Sequence, residues 1–459
     1  MRSRFALRLT AAAAIASCLA FAQEKQKPPQ GPAPKPFSLP ASQNLTLKNG
    51  VKVTLTPYGN IPKVSMRIVI RAGNGNEGPK QVWLADFMGD LLKEGTTNRT
   101  SAQIAEEAAS MGGGVNVSAS SDEITVGGDV LSDYASGIVK LLADVVEHPL
   151  LPASELERIR SNRLRTLAIQ RTTPGGLANE AYAKAIYGDH PYGRYFPTEE
   201  MLKSYTIEDV RNFYQANIGA ARSHIYIAGR FDASLAKDVT AAFEAWNKGP
   251  APVEDVPKLT AKASFTLIDR PGAAQSTIRF GLPVPPPTSA DYIPLEVTNS
   301  LLGGSFASRI TSNIREQKGY TYSPASSVVT EYHAAEWHEG ADVTTAVTGP
   351  SMTEIVKEID RLRKDPPGAD ELQGIKNYMA GIFVIQNSSR TGVIAQLRFV
   401  DLQGLPADWL RNYVPNVLKV TPQDVQRIAE SYLDPAKMAL VVVGDKARIE
   451  EQLKPFASR

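Results

Sequence analysis

The 459-residue chain has a single cysteine, almost equal numbers of basic and acidic residues, and no apolar run long enough to span a bilayer comfortably. With Cys18 alone, an internal disulfide is excluded. Lys and Arg total 50 against 48 Asp and Glu, so no basic surplus exists to attract nucleic acid, and no nucleic-acid partner is expected. The composition is 42% hydrophobic and 21% charged, which is typical of a globular protein, and the length corresponds to about two to four domains.

The first 22 residues have the composition of a secretory signal peptide. Three arginines precede an apolar run that ends in a small-x-small cleavage pattern: Arg2, Arg4, Arg8, Leu9–Ala22 and Ala20-Phe21-Ala22. We therefore expect residues 1–22 to be removed and the protein to be exported to the periplasm. Residues 23–39 are rich in Pro, Lys and Gln and are predicted to form an extended, disordered tether.

Cys18 admits two interpretations. It is either a small apolar residue that is lost with the signal peptide or the lipidated N-terminus of the mature chain. The second interpretation is based on Ile15-Ala16-Ser17-Cys18, which resembles a bacterial lipoprotein box. In that case a lipid at Cys18 would anchor the exported protein to a membrane.

The chain repeats itself. The segment Thr206–Val210 leads to Ile225–Gly229, and 215 residues later Thr421–Val425 leads to Leu440–Gly444 with the same spacing. Lys248 to Val253 is rich in Gly and Pro and separates the two copies. The sequence therefore predicts two duplicated domains joined by a linker: residues 40–248, 249–260 and 261–459.

Each half mixes strands with helices. Residues Val51–Leu55 and Val64–Ile70 are rich in β-branched residues and predict two strands around a turn. A buried helix face is indicated by apolar residues at i, i+3, i+4, i+7 and i+8: Leu84, Phe87, Met88, Leu91 and Leu92. Grouped strands and helices predict an α+β fold, with an antiparallel-rich sheet packed against helices in each half.

The segment Trp83–Thr96 resembles the catalytic helix of the pitrilysin/insulinase metallopeptidases, whose signature is His-x-x-Glu-His. The apolar frame of that helix is retained, together with its following Gly-Thr pair. The zinc-binding and catalytic residues are absent, because Asp86 and Asp90 occupy the two His positions and Gly89 occupies the Glu position. The resemblance implies a two-domain, clam-like fold, but without the residues of a zinc peptidase.

A catalytic zinc site requires three good protein ligands and a base that takes a proton from the bound water. Gly89 offers no base, and two carboxylates replace two imidazoles poorly. The resemblance places the third ligand near Thr166-Leu167, where no carboxylate exists. We therefore expect no metal and no cofactor. Asp86 and Asp90 are expected on a solvated helix face, with a weak site for a hard cation as the alternative.

The second half resembles the family in a different motif. The segment Leu302–Arg309 leads to Ile314–Tyr322, which is similar to the family's C-terminal Arg/Tyr motif and places the pair at Arg315 and Tyr322. The resemblance implies that these two side chains hold a substrate peptide and its polarised carbonyl, for which a guanidinium and a phenol are suitable donors. The alternative is that Arg315 pairs only with a nearby Glu and that Tyr322 is a half-buried strand residue.

The remaining histidine motifs are not expected to bind metal. His190 lies in Asp189–Gly193, which resembles a structural loop of the family, and is expected to be a packed or capping residue. The segment His333–His338 contains two histidines and Glu336, but the region is predicted to be a strand. In a strand, His333 would face away from Glu336 and His338, and metal ligands must converge on one point.

The resemblance implies a non-catalytic, substrate-binding subunit of an exported zinc peptidase. Bacterial family members include pairs of half-sized subunits, in which one carries the zinc motif and the other the Arg/Tyr pair. We expect this chain to be inactive alone and to supply Arg315 and Tyr322 to a zinc-bearing partner, in a heterodimer or heterotetramer with a peptide substrate. The alternatives are an inactive envelope binding or scaffolding protein on the same fold, and an independent peptidase with an unusual metal site.

Overall fold

The computed structural model describes residues 38–457. The predicted signal peptide, Cys18 and residues 23–37 of the predicted tether lie outside this range. Among the described residues, no helix combines the length and the apolar character that crossing a membrane requires.

The first half builds a six-stranded sheet with helices packed on it. Its strands are β1 (Gln43–Thr46), β2 (Lys52–Pro57), β3 (Lys63–Ile70), β4 (Val115–Ala119), β5 (Ile124–Leu131) and β6 (Ser223–Gly229). Its helices are α1 (Leu84–Leu92), α2 (Ser101–Ser110), α3 (Ala135–Glu147), α4 (Leu156–Thr172), α5 (Pro174–Tyr187), α6 (Glu199–Ser204), α7 (Ile207–Asn217) and α8 (Leu235–Phe243). The strand order is β1-β2-β6-β3-β5-β4, which leaves β4 at an edge.

The second half builds a five-stranded sheet in the same manner. Its strands are β7 (Ser264–Asp269), β8 (Gln275–Val284), β9 (Ala325–Glu331), β10 (Ala334–Thr344) and β11 (Ala439–Gly444). Its helices are α9 (Tyr292–Asn299), α10 (Thr348–Lys364), α11 (Ala369–Gln386), α12 (Arg390–Leu402), α13 (Trp409–Lys419), α14 (Pro422–Tyr432) and α15 (Lys446–Ala457). The strand order is β7-β11-β8-β10-β9, which leaves β9 at an edge.

The two sheets share one pairing scheme. Each contains one parallel pair, β2 with β6 and β7 with β11, and all their other neighbouring strands are antiparallel. The repeated Thr-x-x-Asp segments also fold alike. Thr206 and Thr421 cap α7 and α14, and each threonine hydroxyl accepts the backbone N–H of the aspartate three residues on. The predicted duplicated α+β fold is confirmed.

The halves are tied together by an exchange of helices. Helix α5 of the first half packs Ala178, Tyr182 and Ile186 against the second sheet, at Ala439, Val441 and Val443 of β11. Helix α12 of the second half packs Ile394 against the first sheet, in a cluster with Val69 of β3 and with Tyr226 and Ala228 of β6. Each half therefore completes the burial of the other half's sheet, which makes the two halves one packed unit.

Candidate functional site

Helix α1 carries the three altered positions of the zinc motif, and a buried glutamate fixes its start. The Glu77 carboxylate accepts the backbone N–H groups of Trp83 (3.0 Å) and Ala85 (2.8 Å), which lack partners within the helix. Burial raises the pKa of Glu77 to about 8, and the two N–H groups oppose that rise. The apolar face of α1 enters the core, so Asp86 and Asp90 are directed toward α4.

Arg163 on α4 lies between these two carboxylates. Its Nη1 is 3.0 Å from Asp86 Oδ1, and its Nη2 is 2.7 Å from Asp90 Oδ2. The other Asp86 oxygen accepts the Asn74 side-chain amide at 2.9 Å. The three charged side chains are only 21–33% exposed. The expectation of a solvated helix face is therefore wrong, because the two aspartates face a guanidinium in a half-buried triad.

The residues of this triad do not fit zinc. A cationic guanidinium occupies the space between the two side chains that replace the histidines, and it repels a metal cation. Gly89 carries no base, although a Cβ placed there would make an ordinary contact with Val117 Cγ1 at 3.4 Å. Within residues 38–457, no group of three or more His, Cys, Asp or Glu side chains could hold a metal ion. The triad therefore supplies neither the ligands nor the base that a zinc-dependent reaction would need.

The third-ligand position also lacks a ligand. Leu167 is buried, and the Thr166 hydroxyl donates to the Asn162 carbonyl on its own helix. The residue of α4 that reaches Asp86 and Asp90 is instead Arg163, which the sequence analysis missed. Helix α4 contains several arginines, and only the fold distinguishes the one that meets the two aspartates.

A cleft opens beside the Asp86–Arg163 pair. Its volume is about 390 Å³, and aromatic side chains and two guanidinium groups contribute to its lining: Trp83, Tyr192, Tyr195, Phe196, Arg163 and Arg194. Strand β4 ends at this cleft, since Ser120 and Ser121 also line it. The edge position of β4 leaves one side of the strand unpaired within its sheet.

Arg315 and Tyr322 lie together in the second half. The Arg315 guanidinium carbon is 5.2 Å from the centroid of the Tyr322 ring and 4.4 Å from that of Phe306. Tyr322 and Phe306 are 79% and 68% exposed, whereas Arg315 is 23% exposed. The two rings thus flank a guanidinium at the mouth of a cavity of about 350 Å³. Phe306 is a third member of this site that the sequence analysis did not single out.

Irregular helical backbone frames the Arg315 site. Residues Ser300–Gly304 and Thr311–Gln317 form π-helical segments, a conformation that is frequent at functional sites. Gly303 lines the cavity and approaches Glu339 so closely that a Cβ would lie 2.7 Å from Glu339 Oε2. Burial raises the pKa of Glu339 well above its usual range. Burial against Gly303 thus favours the uncharged form of the Glu339 carboxyl.

The histidine motifs hold no metal site. His190 accepts the Tyr192 backbone N–H at 3.3 Å through Nδ1, which confirms a capping role. His333 lies in the turn between β9 and β10 with a φ of 50°, so its predicted place in a strand is wrong. His338 Nδ1 is 2.9 Å from Glu336 Oε1, and the Tyr182 hydroxyl donates to Glu336 Oε2 at 2.8 Å. These contacts join α5 to β10.

The duplicated fold and the altered cleft are those of a two-domain metallopeptidase that lacks its zinc ligands. Comparison of the sequence with protein-family models supports this assignment. Residues 53–196 match the family described as "Insulinase (Peptidase family M16)", and residues 204–379 match "Peptidase M16 inactive domain". The chain belongs to the insulinase, or M16 peptidase, family.

Individual relatives are similar over most of their length. The uncharacterized zinc protease YmxG of Bacillus subtilis (strain 168) is 27% identical over 354 residues, which cover 75% of this chain and 84% of that protein. A "peptidase M16 inactive domain" structure from Pseudomonas fluorescens has a TM-score of 0.80 at 24% identity, covering 88% of this chain and 98% of that one. A protease structure from Helicobacter pylori has a TM-score of 0.82 at 19% identity, covering 89% and 100%. These structural similarities establish the fold.

Proposed function

We propose that this protein is a non-catalytic, peptide-binding member of the family that acts beside a zinc-bearing family member. The main support for this proposal is the contrast between the two halves of the chain. In the first half, the Arg163 guanidinium lies where a zinc peptidase would need a metal, and Gly89 supplies no base. In the second half, Arg315 and Tyr322 are assembled at an open cavity.

The chemistry of the Arg315 site suits a peptide carbonyl. A guanidinium and a phenol both donate hydrogen bonds, and a peptide carbonyl oxygen accepts them. Its ion-pair contact with Glu316 is long, at 3.5 Å, so the guanidinium is not fully engaged by that carboxylate. The exposed Phe306 and Tyr322 rings add apolar contact area for a bound peptide side chain.

The edge strand β4 offers a second source of affinity for a peptide. Strand β4 borders the cleft at Asp86, and its side chains alternate between half-buried and exposed. An extended peptide could add to such an edge through main-chain hydrogen bonds, with alternate side chains entering the cleft. The aromatic and guanidinium lining of that cleft favours apolar and acidic peptide side chains.

The partner and the location form part of the same proposal. An inactive chain that binds peptides contributes to proteolysis only if another subunit supplies the metal, so we propose a heteromeric complex with a zinc-bearing family member. The signal-peptide pattern of residues 1–22 supports export to the periplasm, with Cys18 as the candidate lipid anchor.

The test is a peptidase assay on the complex of this chain with the zinc-bearing family member that co-purifies with it. We expect Arg315→Ala and Tyr322→Phe to lower peptide cleavage at least tenfold, while size-exclusion chromatography shows the complex intact. The control is Arg361→Ala, which removes an exposed arginine paired with Glu358 on α10. Unchanged cleavage in the Arg315 and Tyr322 variants, or the lack of any such partner, would favour the binding or scaffolding protein instead.

A further inference from the structure

The second half contains a box of aromatic rings that the proposed peptide site does not use. Five rings from four helices surround a cavity of about 170 Å³, with one carboxyl group in its lining: Tyr292, Phe383, Phe399, Trp409, Tyr413 and Glu296. We propose that this aromatic box binds an alkylammonium head group, as carried by a lysine side chain or by a free quaternary amine.

The rings form a continuous arc. Neighbouring ring centroids are separated by 4.5 Å from Phe383 to Tyr413, by 5.4 Å from Tyr413 to Trp409 and by 5.4 Å from Trp409 to Phe399. Tyr292 closes the arc at 6.4 Å from Phe399. All five rings line one cavity, so a small ligand bound there would contact several of them. Ring faces attract organic cations, and the attraction is larger where water is excluded.

A carboxyl group completes the box. Glu296 lies one helical turn after Tyr292 on α9, and the Tyr292 hydroxyl hydrogen-bonds to it. Burial and the charge of Glu296 also raise the pKa of Tyr413 on α13. Burial raises the pKa of Glu296 to about 7. A bound cation would offset that burial, since an opposite charge favours the ionised carboxylate.

A purely structural cluster would be built differently. Rings that only fill a core close-pack and leave few voids larger than a water molecule. Here the rings enclose a cavity, and polar groups join its lining at Glu296, Gln386 and Gln396. Trp409, Phe399 and Tyr413 are half-buried rather than fully buried, so the box is reachable from solvent. Its size admits a small head group and excludes a folded partner.

The internal repeat places Glu296 of this box at the position equivalent to Asp86 of the altered zinc motif. The Leu91-Leu92 pair of α1 recurs as Leu301-Leu302, and the same offset of 210 residues aligns Asp86 with Glu296. Where the first half has a carboxylate facing an arginine of α4, the second half has a carboxyl group facing aromatic rings. The lining of the box contains no arginine or lysine equivalent to Arg163. A cation supplied by a ligand could therefore occupy that place beside Glu296.

The test is isothermal titration of the full chain with choline and with its neutral isostere, 3,3-dimethyl-1-butanol. We expect choline to bind at least tenfold more tightly than the isostere, because charge rather than shape drives cation–π recognition. Equal affinity for the two, or no binding of either choline or a lysine side chain, would overturn the proposal. Parallel titrations with Nα-acetyl-lysine methylamide and its ε-trimethyl form distinguish a peptide source from a free amine.

Two variants and one control locate the binding. Glu296→Gln keeps the shape of the side chain and Trp409→Leu keeps an apolar surface, and each is expected to weaken binding at least tenfold. Tyr378→Leu removes an exposed ring on the outer face of α11 and should bind as the wild type does. Thermal melts check folding, and Glu296→Gln remains informative if Trp409→Leu fails to fold. Unchanged affinity in Glu296→Gln would refute the proposed site, whatever the result of the peptidase assay.

Discussion

Replacement of Arg163 by leucine is the sharpest perturbation of the altered zinc cleft. It removes the guanidinium and leaves Asp86 and Asp90 without their shared cation, while the leucine retains part of the arginine's apolar contact. The charged form of Asp86 is already disfavoured in the wild type, since burial raises its pKa even with Arg163 beside it. The variant therefore leaves a half-buried carboxylate to be held by Asn74 alone.

The size of the effect follows from the geometry. Losing one partner of a fully buried pair costs about 3–5 kcal/mol, whereas an exposed pair contributes about 0.2–1 kcal/mol. The three side chains retain 21–33% exposure, so water replaces part of the lost interaction. We expect Arg163→Leu to lower the free energy of unfolding by about 2 kcal/mol at neutral pH.

The loss should also depend on pH. Because the pKa of Asp86 is raised in the folded state, the folded chain retains a proton that the unfolded chain releases above about pH 4. Stability therefore falls as pH rises through this window. Without Arg163 the folded pKa rises further, so the fall is steeper in the variant. The difference between variant and wild type should shrink toward pH 4.

Urea unfolding at pH 4, 5.5 and 7 measures this difference. Arg165→Leu is the matched control, because Arg165 is exposed on the same helix and its guanidinium donates a hydrogen bond to the exposed Asn162 side chain at 3.2 Å. The control should change stability by less than about 0.5 kcal/mol. An equal loss in both variants, or a loss in Arg163→Leu that is the same at every pH, would refute the reasoning.

Two further predictions concern Glu331 at the end of β9 and the glycines of α11 and α12. Burial and the nearby Asp122 raise the pKa of Glu331 well above its usual value of 4.5, so the folded chain retains a proton there and wild-type stability should fall as pH rises above that value. Glu331→Gln should make the loss of stability between pH 5.5 and 8.5, measured by urea unfolding, smaller than in the wild type. A Cβ on Gly392 would lie 1.7 Å from the Gln386 carbonyl oxygen, so Gly392→Ala should lower thermal stability by about 1–3 kcal/mol. Gly374→Ala meets open space within a helix and should instead raise stability by about 0.5–1 kcal/mol. An unchanged loss of stability between pH 5.5 and 8.5 in Glu331→Gln, or equal effects of the two glycine variants, would contradict these expectations.

Local signals predicted much of the fold. The apolar spacing from Leu84 to Leu92 identified α1, because burial of one helix face requires that period. The threonines that cap α7 and α14 revealed the duplication, since a capping hydroxyl acts within three residues of sequence. Arg315 and Tyr322 were also found, because they lie close in the sequence and belong to one motif.

Features that depend on distant contacts could not be predicted in this way. Arg163 and Asp86 are separated by 77 residues, and several arginines of α4 are equivalent in local sequence. The aromatic box draws its rings from α9, α11, α12 and α13, so no short segment contains its pattern. His333 was placed in a strand because its left-handed turn conformation is unusual for a residue other than glycine.

We expect this member of the family to hold no catalytic zinc. The most direct measurement is the metal content of the purified chain after incubation with zinc and removal of unbound metal, made together with a peptide cleavage assay. We expect a zinc-to-protein ratio far below one and no cleavage. One tightly held zinc per chain, with cleavage that a chelator abolishes, would contradict it.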